Sequence, residues 1–260
     1  MIDTEFAPVS TVIGHRGAAG HAPENTLASL EKAAGLGVRW VEFDTKLTAD
    51  GHVVLFHDDT LERTTDGRGA VAETTLADLR ALDAGSWFDG GSQGAYAGER
   101  VPTLKEAMET LARLDLGAVV EIKPSPGRER ETGLAVARAL AAGWPETLPA
   151  PLISSFEKTA LGGAREAAPN IRRALNVFKI PRGWRKKTKA LGCRSVHCLE
   201  RNLTARRVGV LKDEGMAVRA FTVNDPVRAV TLWRWGVDGV FSDYPERLLP
   251  FSRASHFSWL

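Results

Sequence analysis

Two short motifs combine a histidine with a neighbouring charged side chain. His15 is followed by Arg16, and His57 is followed by Asp58. Histidine transfers protons near neutral pH, and arginine binds a phosphate or carboxylate group through two hydrogen bonds. The first pair therefore indicates an anionic substrate. The structural alternative is that His15 is a loop histidine that hydrogen-bonds to the backbone. Asp58 could alternatively bind a metal ion or cap the turn that follows it.

Three carboxylates lie on two predicted strands. Glu42 and Asp44 are two residues apart, as are Glu121 and Lys123. Each pair shares one face, because side chains alternate along a strand. Buried like charges are costly without a cation, and oxygen ligands suit Mg²⁺ or Ca²⁺ better than zinc. The pattern predicts a site for one divalent cation. A half-exposed strand and a Glu121–Lys123 ion pair are the structural alternatives.

Two histidines beside an acidic cation site are the groups that phosphodiester cleavage requires. The diester repels an incoming nucleophile, and its alkoxide leaves poorly. A cation and Arg16 would neutralise this charge while one of His15 and His57 accepts a proton and the other donates one. The residues therefore favour phosphodiester chemistry.

These residues need a framework that brings several strand ends together. Short β-rich segments alternate with helical patterns, which is typical of a parallel sheet built from βα units. In a barrel of this kind the active site lies at the carboxyl ends of the strands. We predict a TIM-type (β/α)8 barrel forming a single domain over residues 1–260, with its core at 11–250. The predicted strands are Val12–Gly14, Trp40–Lys46, Val53–His57, Gly117–Lys123, Leu152–Phe156, Arg172–Val177, Ser195–Cys198, Val218–Val223 and Gly239–Phe241.

Nine strands for eight barrel positions imply one irregular βα unit. Residues 48–51 resemble a tight turn in which Gly51 supplies a positive φ, so the second and third strands should be joined without a helix. The predicted helices are Thr26–Gly35, Thr103–Leu114, Glu129–Ala142, Glu157–Ala167, Thr204–Glu214 and Asp225–Trp235.

Three features fall outside this regular pattern. The glycine-rich segment 85–98 is predicted to be an inserted surface loop that could cover a site. The basic segment 182–189 fits a solvated helix face better than an anion-binding patch. Cys193 and Cys198 flank His197 without the four ligands of structural zinc or the spacing of a redox pair, so both are predicted to be reduced core thiols.

The composition excludes several functional classes. The 260 residues include 34 Lys and Arg against 32 Asp and Glu, a net charge of +2, and 43% are hydrophobic. This balance gives no electrostatic basis for binding nucleic acid, and no apolar run reaches the roughly 18 residues of a membrane span. The N-terminal segment MIDTEFAPVS lacks the features of a secretory signal, so we expect a cytoplasmic protein.

The order and spacing of eight motifs resembles the glycerophosphodiester phosphodiesterase family, and above all its cytosolic bacterial form. Each motif alone is common, but their shared order over residues 11–246 is specific. The motifs are His15-Arg16-Gly17, Pro23-Glu24-Asn25-Thr26, Glu42-x-Asp44, Asp50-Gly51, His57-Asp58, Glu121-Ile122-Lys123, Thr222-Val223-Asn224 and Gly236-Val237-Asp238-Gly239.

The resemblance implies a metal-dependent hydrolase that releases glycerol 3-phosphate and an alcohol from a small glycerophosphodiester. The substrate's own 2-hydroxyl would attack phosphorus and form a cyclic phosphate, which water then opens. His15 would accept the first proton and His57 would protonate the leaving alcohol, with the roles reversed in the second half. The resemblance also assigns the cation ligands Glu42, Asp44 and Glu121 and the phosphate-binding Arg16 and Lys123.

One substrate-contacting position departs from the family pattern. Phe221 stands where many members have tryptophan, which keeps an aromatic wall but removes the indole N–H donor. This departure concerns substrate preference. Two other interpretations remain: a phospholipase-like or cyclising relative, which the Trp87-Phe88 pair would favour, and a barrel that binds a phosphodiester without catalysis.

Overall fold

The computed structural model describes residues 9–88 and 94–252, which contain nine strands. They are β1 (Val12–Gly14), β2 (Trp40–Leu47), β3 (Val53–Leu55), β4 (Gly117–Ile122), β5 (Leu152–Ser155), β6 (Arg172–Val177), β7 (Cys193–Leu199), β8 (Ala217–Phe221) and β9 (Gly239–Ser242). All except β3 run parallel in one sheet, and β1 pairs with both β2 and β9. This pairing closes an eight-stranded barrel and confirms the predicted fold.

Helices follow most of the strands and surround the barrel. They are α1 (Leu27–Gly35), α2 (Leu76–Ala81), α3 (Leu104–Leu114), α4 (Glu129–Gly143), α5 (Lys158–Ala167), α6 (Trp184–Leu191), α7 (Ala205–Asp213), α8 (Pro226–Arg234) and α9 (Leu249–Ser252). The six predicted helices are confirmed with small shifts at their ends. The basic segment 182–189 lies largely in α6, where Arg185, Lys186 and Lys189 are exposed, as expected for a solvated helix face.

The irregular unit is a β-hairpin. Strand β3 pairs antiparallel with the carboxyl-terminal part of β2, from Thr45 to Leu47. Gly51 adopts a φ of +81° in the connecting turn, a conformation that glycine reaches without steric cost. The prediction of two strands joined without a helix is confirmed. The third strand ends at Leu55, so the predicted bounds Val53–His57 are wrong at their end, and His57 lies two residues beyond the strand.

Alternation along β2 separates the apolar core from the barrel interior. Val41 and Phe43 are fully buried in a cluster that includes Leu30 of α1 and Leu111 of α3. Their neighbours Glu42 and Asp44 have the opposite orientation and line a cavity. The strand is therefore apolar towards the helices and acidic towards the interior, as predicted.

A second apolar cluster includes residues from the amino-terminal parts of the strands. Ile13, Trp40, Val119, Leu152 and Ala174 are buried there and pack together. The polar cavity lies towards the carboxyl ends, where a barrel of this type carries its active site.

Helices α4 and α5 pack together at two glycines. A Cβ atom on Gly133 would lie 2.1 Å from the carbonyl oxygen of Ala160, and one on Gly163 would lie 2.6 Å from that of Arg130. Both distances are shorter than real Cβ contacts, so neither position has room for a side chain. The two backbones approach each other because glycine occupies both positions.

The two described parts of the glycine-rich segment, residues 85–88 and 94–98, share one hydrogen-bond acceptor. The carboxylate of Asp83 accepts hydrogen bonds from the backbone N–H groups of Gly85, Ser86 and Gly98. Residues 89–93 of this predicted loop lie outside the described residues. None of the helices described here has the length and apolar character that crossing a bilayer requires.

Candidate active site

Three buried carboxylates converge inside the barrel on the adjacent strands β2 and β4. Asp44 and Glu121 are register partners on these adjacent strands, and Glu42 lies two residues before Asp44. The side chains of Glu42, Asp44 and Glu121 each offer an oxygen within 4.8 Å of the others. The sequence prediction that these carboxylates share the barrel interior is confirmed.

Each carboxylate is oriented by a hydrogen-bond donor. The backbone N–H of Arg16 donates to Glu42 at 3.0 Å. The amide of Asn25 donates to Asp44 at 3.0 Å and accepts from the backbone N–H of the same residue. The amide of Asn176 donates to Glu121 at 2.9 Å. The carboxylates are therefore held in place by the protein itself.

The charges of this cluster are not balanced by the surrounding residues. Burial and the neighbouring carboxylates raise the pKa of Glu42 well above its usual value, and burial together with Asp44 raises the pKa of Glu121 to about 7. Burial also acts to raise the pKa of Asp44, but Arg16 and His57 contribute to a net lowering. Additional positive charge at this point would favour the ionised forms of Glu42 and Glu121.

The donor set fits a hard divalent cation. All three side chains offer oxygen, and the described residues contain no cysteine or histidine in the same metal-ligand cluster. Mg²⁺ and Ca²⁺ prefer such oxygen ligands, whereas structural zinc normally takes sulfur and nitrogen. A cation bound here would also favour the ionised forms of Glu42 and Glu121, whose pKa values are raised by burial and by the neighbouring carboxylates.

Two basic side chains lie beside the carboxylates. The guanidinium of Arg16 is 3.3 Å from Asp44 through Nε and donates to Glu24 at 2.6 Å through Nη1. Burial acts against its charge, but these acidic neighbours give a net increase in the pKa of Arg16. The ammonium of Lys123 is 3.3 Å from Glu121. Both groups line the cavity as cations, suited to an anionic ligand.

Two histidines line the same cavity, and each is bonded to a carboxylate. Nδ1 of His15 lies 2.7 Å from Asp243, and Nδ1 of His57 lies 2.5 Å from Asp58. A carboxylate at Nδ1 favours the tautomer with its proton on that nitrogen and leaves Nε2 for proton transfer. Asp58 is thus a partner of His57 and lies outside the carboxylate cluster.

Asp243 is a site residue that the sequence analysis missed. Its second carboxylate oxygen accepts from the amide of Asn224 at 2.8 Å, and the amide oxygen of Asn224 accepts from the backbone N–H of Asp243. Asn224 belongs to the Thr-Val-Asn motif, which was noticed without a role. Asp243 follows the last strand directly, and this position was the available sequence signal.

The cavity has a volume of about 320 Å³, and several of its lining residues were not predicted. Three of them, Ser154, Asn176 and His197, are buried at inward-facing positions of β5, β6 and β7. Alternation along each strand is the sequence signal that could have identified them. The unpredicted lining residues are Ser154, Phe156, Asn176, Phe178, His197, Thr222 and Phe241.

His197 and its flanking cysteines point to different parts of the molecule. The imidazole lines the cavity, whereas Cys193 and Cys198 are free thiols buried in two separate apolar clusters. Burial raises the pKa of Cys193 to about 12 and that of Cys198 to about 11. Both thiols are buried in the core, as predicted.

An aromatic cluster forms one side of the cavity. Phe221 packs edge-on against Phe156, with ring centroids 5.6 Å apart, and Phe178 lies 4.7 Å from Phe156. Phe178 is 64% exposed, so the cluster reaches the protein surface. The structure therefore places the predicted Phe221 within a wall of three phenylalanines. Among the described residues of segment 85–98, none lines this cavity.

Comparisons with known sequences agree with this site. The model of the glycerophosphoryl diester phosphodiesterase family matches residues 15–247. A glycerophosphodiester phosphodiesterase of Caldanaerobacter subterraneus subsp. tengcongensis is 33% identical over 248 residues, covering 93% of this chain and 97% of that protein. A glycerophosphodiester phosphodiesterase of Bacillus subtilis is 31% identical over 248 residues, covering 90% of this chain and 83% of that protein.

A comparison with solved structures gives the same result. A phosphodiesterase of Oleispira antarctica, solved in complex with the product sn-glycerol-3-phosphate, has a TM-score of 0.88 and is 43% identical in sequence. The match covers 94% of this chain and 96% of that protein. The similarity therefore extends over nearly the whole of both chains.

Proposed function

Because this chain belongs to the glycerophosphoryl diester phosphodiesterase family and is an enzyme of that class, we propose that it hydrolyses small glycerophosphodiesters to glycerol 3-phosphate and an alcohol. The observation that carries the proposal is the convergence of three kinds of group on one cavity: buried carboxylates, two cations and two carboxylate-bound imidazoles. These are the groups needed to hold a phosphodiester and move its protons.

Glu42, Asp44 and Glu121 are assigned to one divalent cation, Mg²⁺ or Ca²⁺. Such a cation, when bound, neutralises negative charge on the phosphate and on the pentacoordinate transition state. The oxygen-only donor set and the raised pKa values of Glu42 and Glu121 support this assignment.

Arg16 and Lys123 are assigned to the phosphate oxygens. The guanidinium of Arg16 presents several N–H donors in one plane, and the ammonium of Lys123 provides a compact charge. Both line the cavity next to the carboxylate cluster. Their position supports binding of the phosphate between them and the cation ligands.

His15 and His57 are assigned to proton transfer. The glycerol 2-hydroxyl oxygen bonds to phosphorus while its proton passes to His15. The bond from phosphorus to the leaving alcohol breaks, and that oxygen takes a proton from His57. Water then opens the cyclic phosphate, giving its proton to His57 while His15 returns a proton to the 2-hydroxyl oxygen. The carboxylates at both Nδ1 atoms support these roles, because they leave Nε2 free for proton transfer.

Phe221 and its two aromatic neighbours are assigned to the carbon skeleton of the substrate. Their rings offer apolar contact and no hydrogen-bond donor. This wall therefore favours the hydrocarbon face of the glycerol unit or of the leaving alcohol.

The decisive assay is release of glycerol 3-phosphate from glycerophosphocholine by the purified protein. Activity should disappear with a chelator and return when Mg²⁺ or Ca²⁺ is added back. A folded protein that releases no product from any glycerophosphodiester, with either cation present, would contradict the proposal.

Replacing either imidazole tests the acid–base assignment. His15→Ala and His57→Ala should each lower kcat by roughly 10²–10⁴-fold, the usual contribution of general acid–base catalysis. Circular dichroism should show an unchanged fold, because both side chains lie at the cavity rather than in an apolar cluster. Full activity in either variant would remove that histidine from the mechanism.

A second candidate function is cleavage or cyclisation of a lipid substrate. The exposed ring of Phe178 at the cavity favours it, since an acyl chain could lie against that ring. Trp87 and Phe88, the pair that first suggested this alternative, are only half-buried and pack edge-on against each other. Faster turnover of a lysophospholipid, or accumulation of a cyclic phosphate, would favour this second function.

The cytoplasmic location remains a prediction from the sequence.

A further inference from the structure

One guanidinium outside the cavity bonds two acidic side chains at once. Arg63, in the turns that follow β3, donates to Asp58 through Nε at 2.6 Å and through Nη2 at 2.9 Å. It also donates to Glu24 through Nη1 at 2.8 Å and through Nη2 at 2.7 Å. Both carboxylates are therefore bound in bidentate fashion by a single side chain.

Each of these carboxylates also holds a side chain that lines the cavity. Asp58 contacts Nδ1 of His57 at 2.5 Å. Glu24 accepts from Nη1 of Arg16 at 2.6 Å. Arg63 is thus one step away from the imidazole assigned to proton transfer and one step away from the guanidinium assigned to the phosphate.

The geometry requires arginine in particular. A planar guanidinium carries five N–H donors in a fixed arrangement, so it can bind two carboxylates in bidentate fashion. The single ammonium of a lysine has no such fork. Without Arg63, Asp58 and Glu24 would lose the cation that holds them together, and each would keep only its contact with His57 or Arg16.

The exposure of these groups argues for positioning rather than stability. The Arg63 side chain is 44% exposed, and exposed ion pairs usually add little to folding stability. Its partners are less exposed, at 12% for Glu24 and 27% for Asp58, so the contact orders side chains at the border of the cavity.

We propose that Arg63 is a positioning residue that fixes His57 through Asp58 and Arg16 through Glu24. This inference rests on the proposed function, in which His57 protonates the leaving alcohol. Arg63 would therefore support both proton donation by His57 and phosphate binding by Arg16.

The test compares two substrates that differ in their need for a proton. Glycerophosphocholine releases a basic alkoxide, which must be protonated, whereas the p-nitrophenyl ester of glycerol 3-phosphate releases a stable anion. Arg63→Ala should lower kcat on the choline substrate by roughly 10–100-fold, a part of the usual effect of general acid catalysis, and should affect the aryl substrate less. A change in the ratio of the two kcat values is a signature that loss of stability alone does not produce.

Variants of the two carboxylates separate the two roles of Arg63. Asp58→Asn should reproduce the change in the kcat ratio. Glu24→Gln should instead raise KM for both substrates by similar factors, because it acts through Arg16. Arg63→Lys should retain more activity than Arg63→Ala, since a lysine can still reach one carboxylate at a time.

Arg80 provides a matched control. It is 40% exposed and donates to both oxygens of Glu106, and neither residue lines the cavity. Arg80→Ala should leave the kcat ratio unchanged, and thermal unfolding of both alanine variants should show shifts of similar size. An Arg63→Ala protein with wild-type activity, or with equal losses on both substrates, would overturn the inference.

His57→Ala, measured on the same two substrates, separates failure of this inference from failure of the proposed function. If the His57 variant changes the kcat ratio and the Arg63 variant does not, the role of Arg63 is wrong. If the His57 variant leaves the ratio unchanged, the assigned role of His57 is wrong, and the inference built on it is overturned as well.

Discussion

His15 and His57 reach one cavity from different parts of the chain, and each has a carboxylate against Nδ1. The partner of His57 is its neighbour in the sequence, whereas the partner of His15 is Asp243, which is 228 residues away in the sequence but follows β9, the strand that pairs with β1. Asn224 in turn holds Asp243. At this scale the site consists of reactive groups with a second layer of side chains that orient them.

The first prediction concerns the carboxylate behind His15. Asp243→Asn should lower kcat by roughly 10–100-fold, because the new amide can no longer accept equally from His15 and Asn224, and the preferred tautomer of the imidazole is lost. Steady-state kinetics and cation affinity should be measured together, with cation affinity unchanged. Asp213→Asn, at an exposed position of α7, is the control. Wild-type kcat in the Asp243 variant would contradict the prediction.

The sequence was sufficient to predict the site residues that belong to short motifs with recognisable chemistry. Glu42, Asp44 and Glu121 were predicted because alternation puts them on one strand face, and the structure brings them together. Asn176 and Asp243 were missed because their roles depend on partners 55 and 228 residues away in the chain. Only strand register and barrel closure create those pairs.

Helices α4 and α5 show how element packing depends on single atoms. Their close approach requires Gly133 and Gly163, where a side chain would meet a backbone carbonyl of the other helix. Gly162, the neighbour of Gly163, has room for a Cβ atom, which would contact no other part of the protein within 4 Å beyond its own stretch of helix. Adjacent glycines in one helix therefore have opposite requirements.

The second prediction uses this contrast. Gly133→Ala should destabilise the protein by about 1–3 kcal/mol, the usual cost of overpacking. Gly162→Ala should stabilise it by about 0.5–1 kcal/mol, because alanine is the better helix former and the site is open. Chemical denaturation of the two variants measures both values. Equal effects of the two substitutions would show that the helix contact does not constrain Gly133.

At the scale of elements, strands were easier to predict than short helices. All nine strands were located because each contains a short β-rich run set off from the helical patterns, and the errors lie at their ends, as with His57 beyond β3. Helix α2 has six residues and α9 has four, too few for a helical period to be recognised. Their presence depends on packing that a local pattern does not contain.

At the scale of the whole molecule, the carboxylate cluster links folding to pH and cations. In the cation-free protein, the pKa of Glu121 is raised to about 7 by burial and by Asp44. A raised carboxyl pKa favours the folded state at low pH, and this contribution is lost as the pH rises through 7. A cation, in contrast, binds the ionised carboxylates, so its affinity rises over the same range.

The third prediction follows from these opposite dependences. Addition of Mg²⁺ or Ca²⁺ to chelator-treated protein should raise Tm more at pH 8 than at pH 6, because protons compete for Glu121 at the lower pH. Differential scanning fluorimetry measures this difference. Glu121→Gln, which removes the charge at nearly constant size, should abolish most of the gain at both pH values. An equal gain in the wild-type protein at pH 6 and pH 8 would contradict the prediction.

The β2–β3 hairpin carries much of the site in one short stretch. Residues 42–63 include two of the assigned cation ligands, Glu42 and Asp44, together with His57, Asp58 and Arg63. When genes of homologous barrels recombine, a crossover outside this stretch transmits these five residues as one inherited block. A crossover within the turn at Gly51 would instead join Glu42 and Asp44 of one parent to His57, Asp58 and Arg63 of the other. Chimeras should therefore retain function most often when their breakpoints avoid this hairpin.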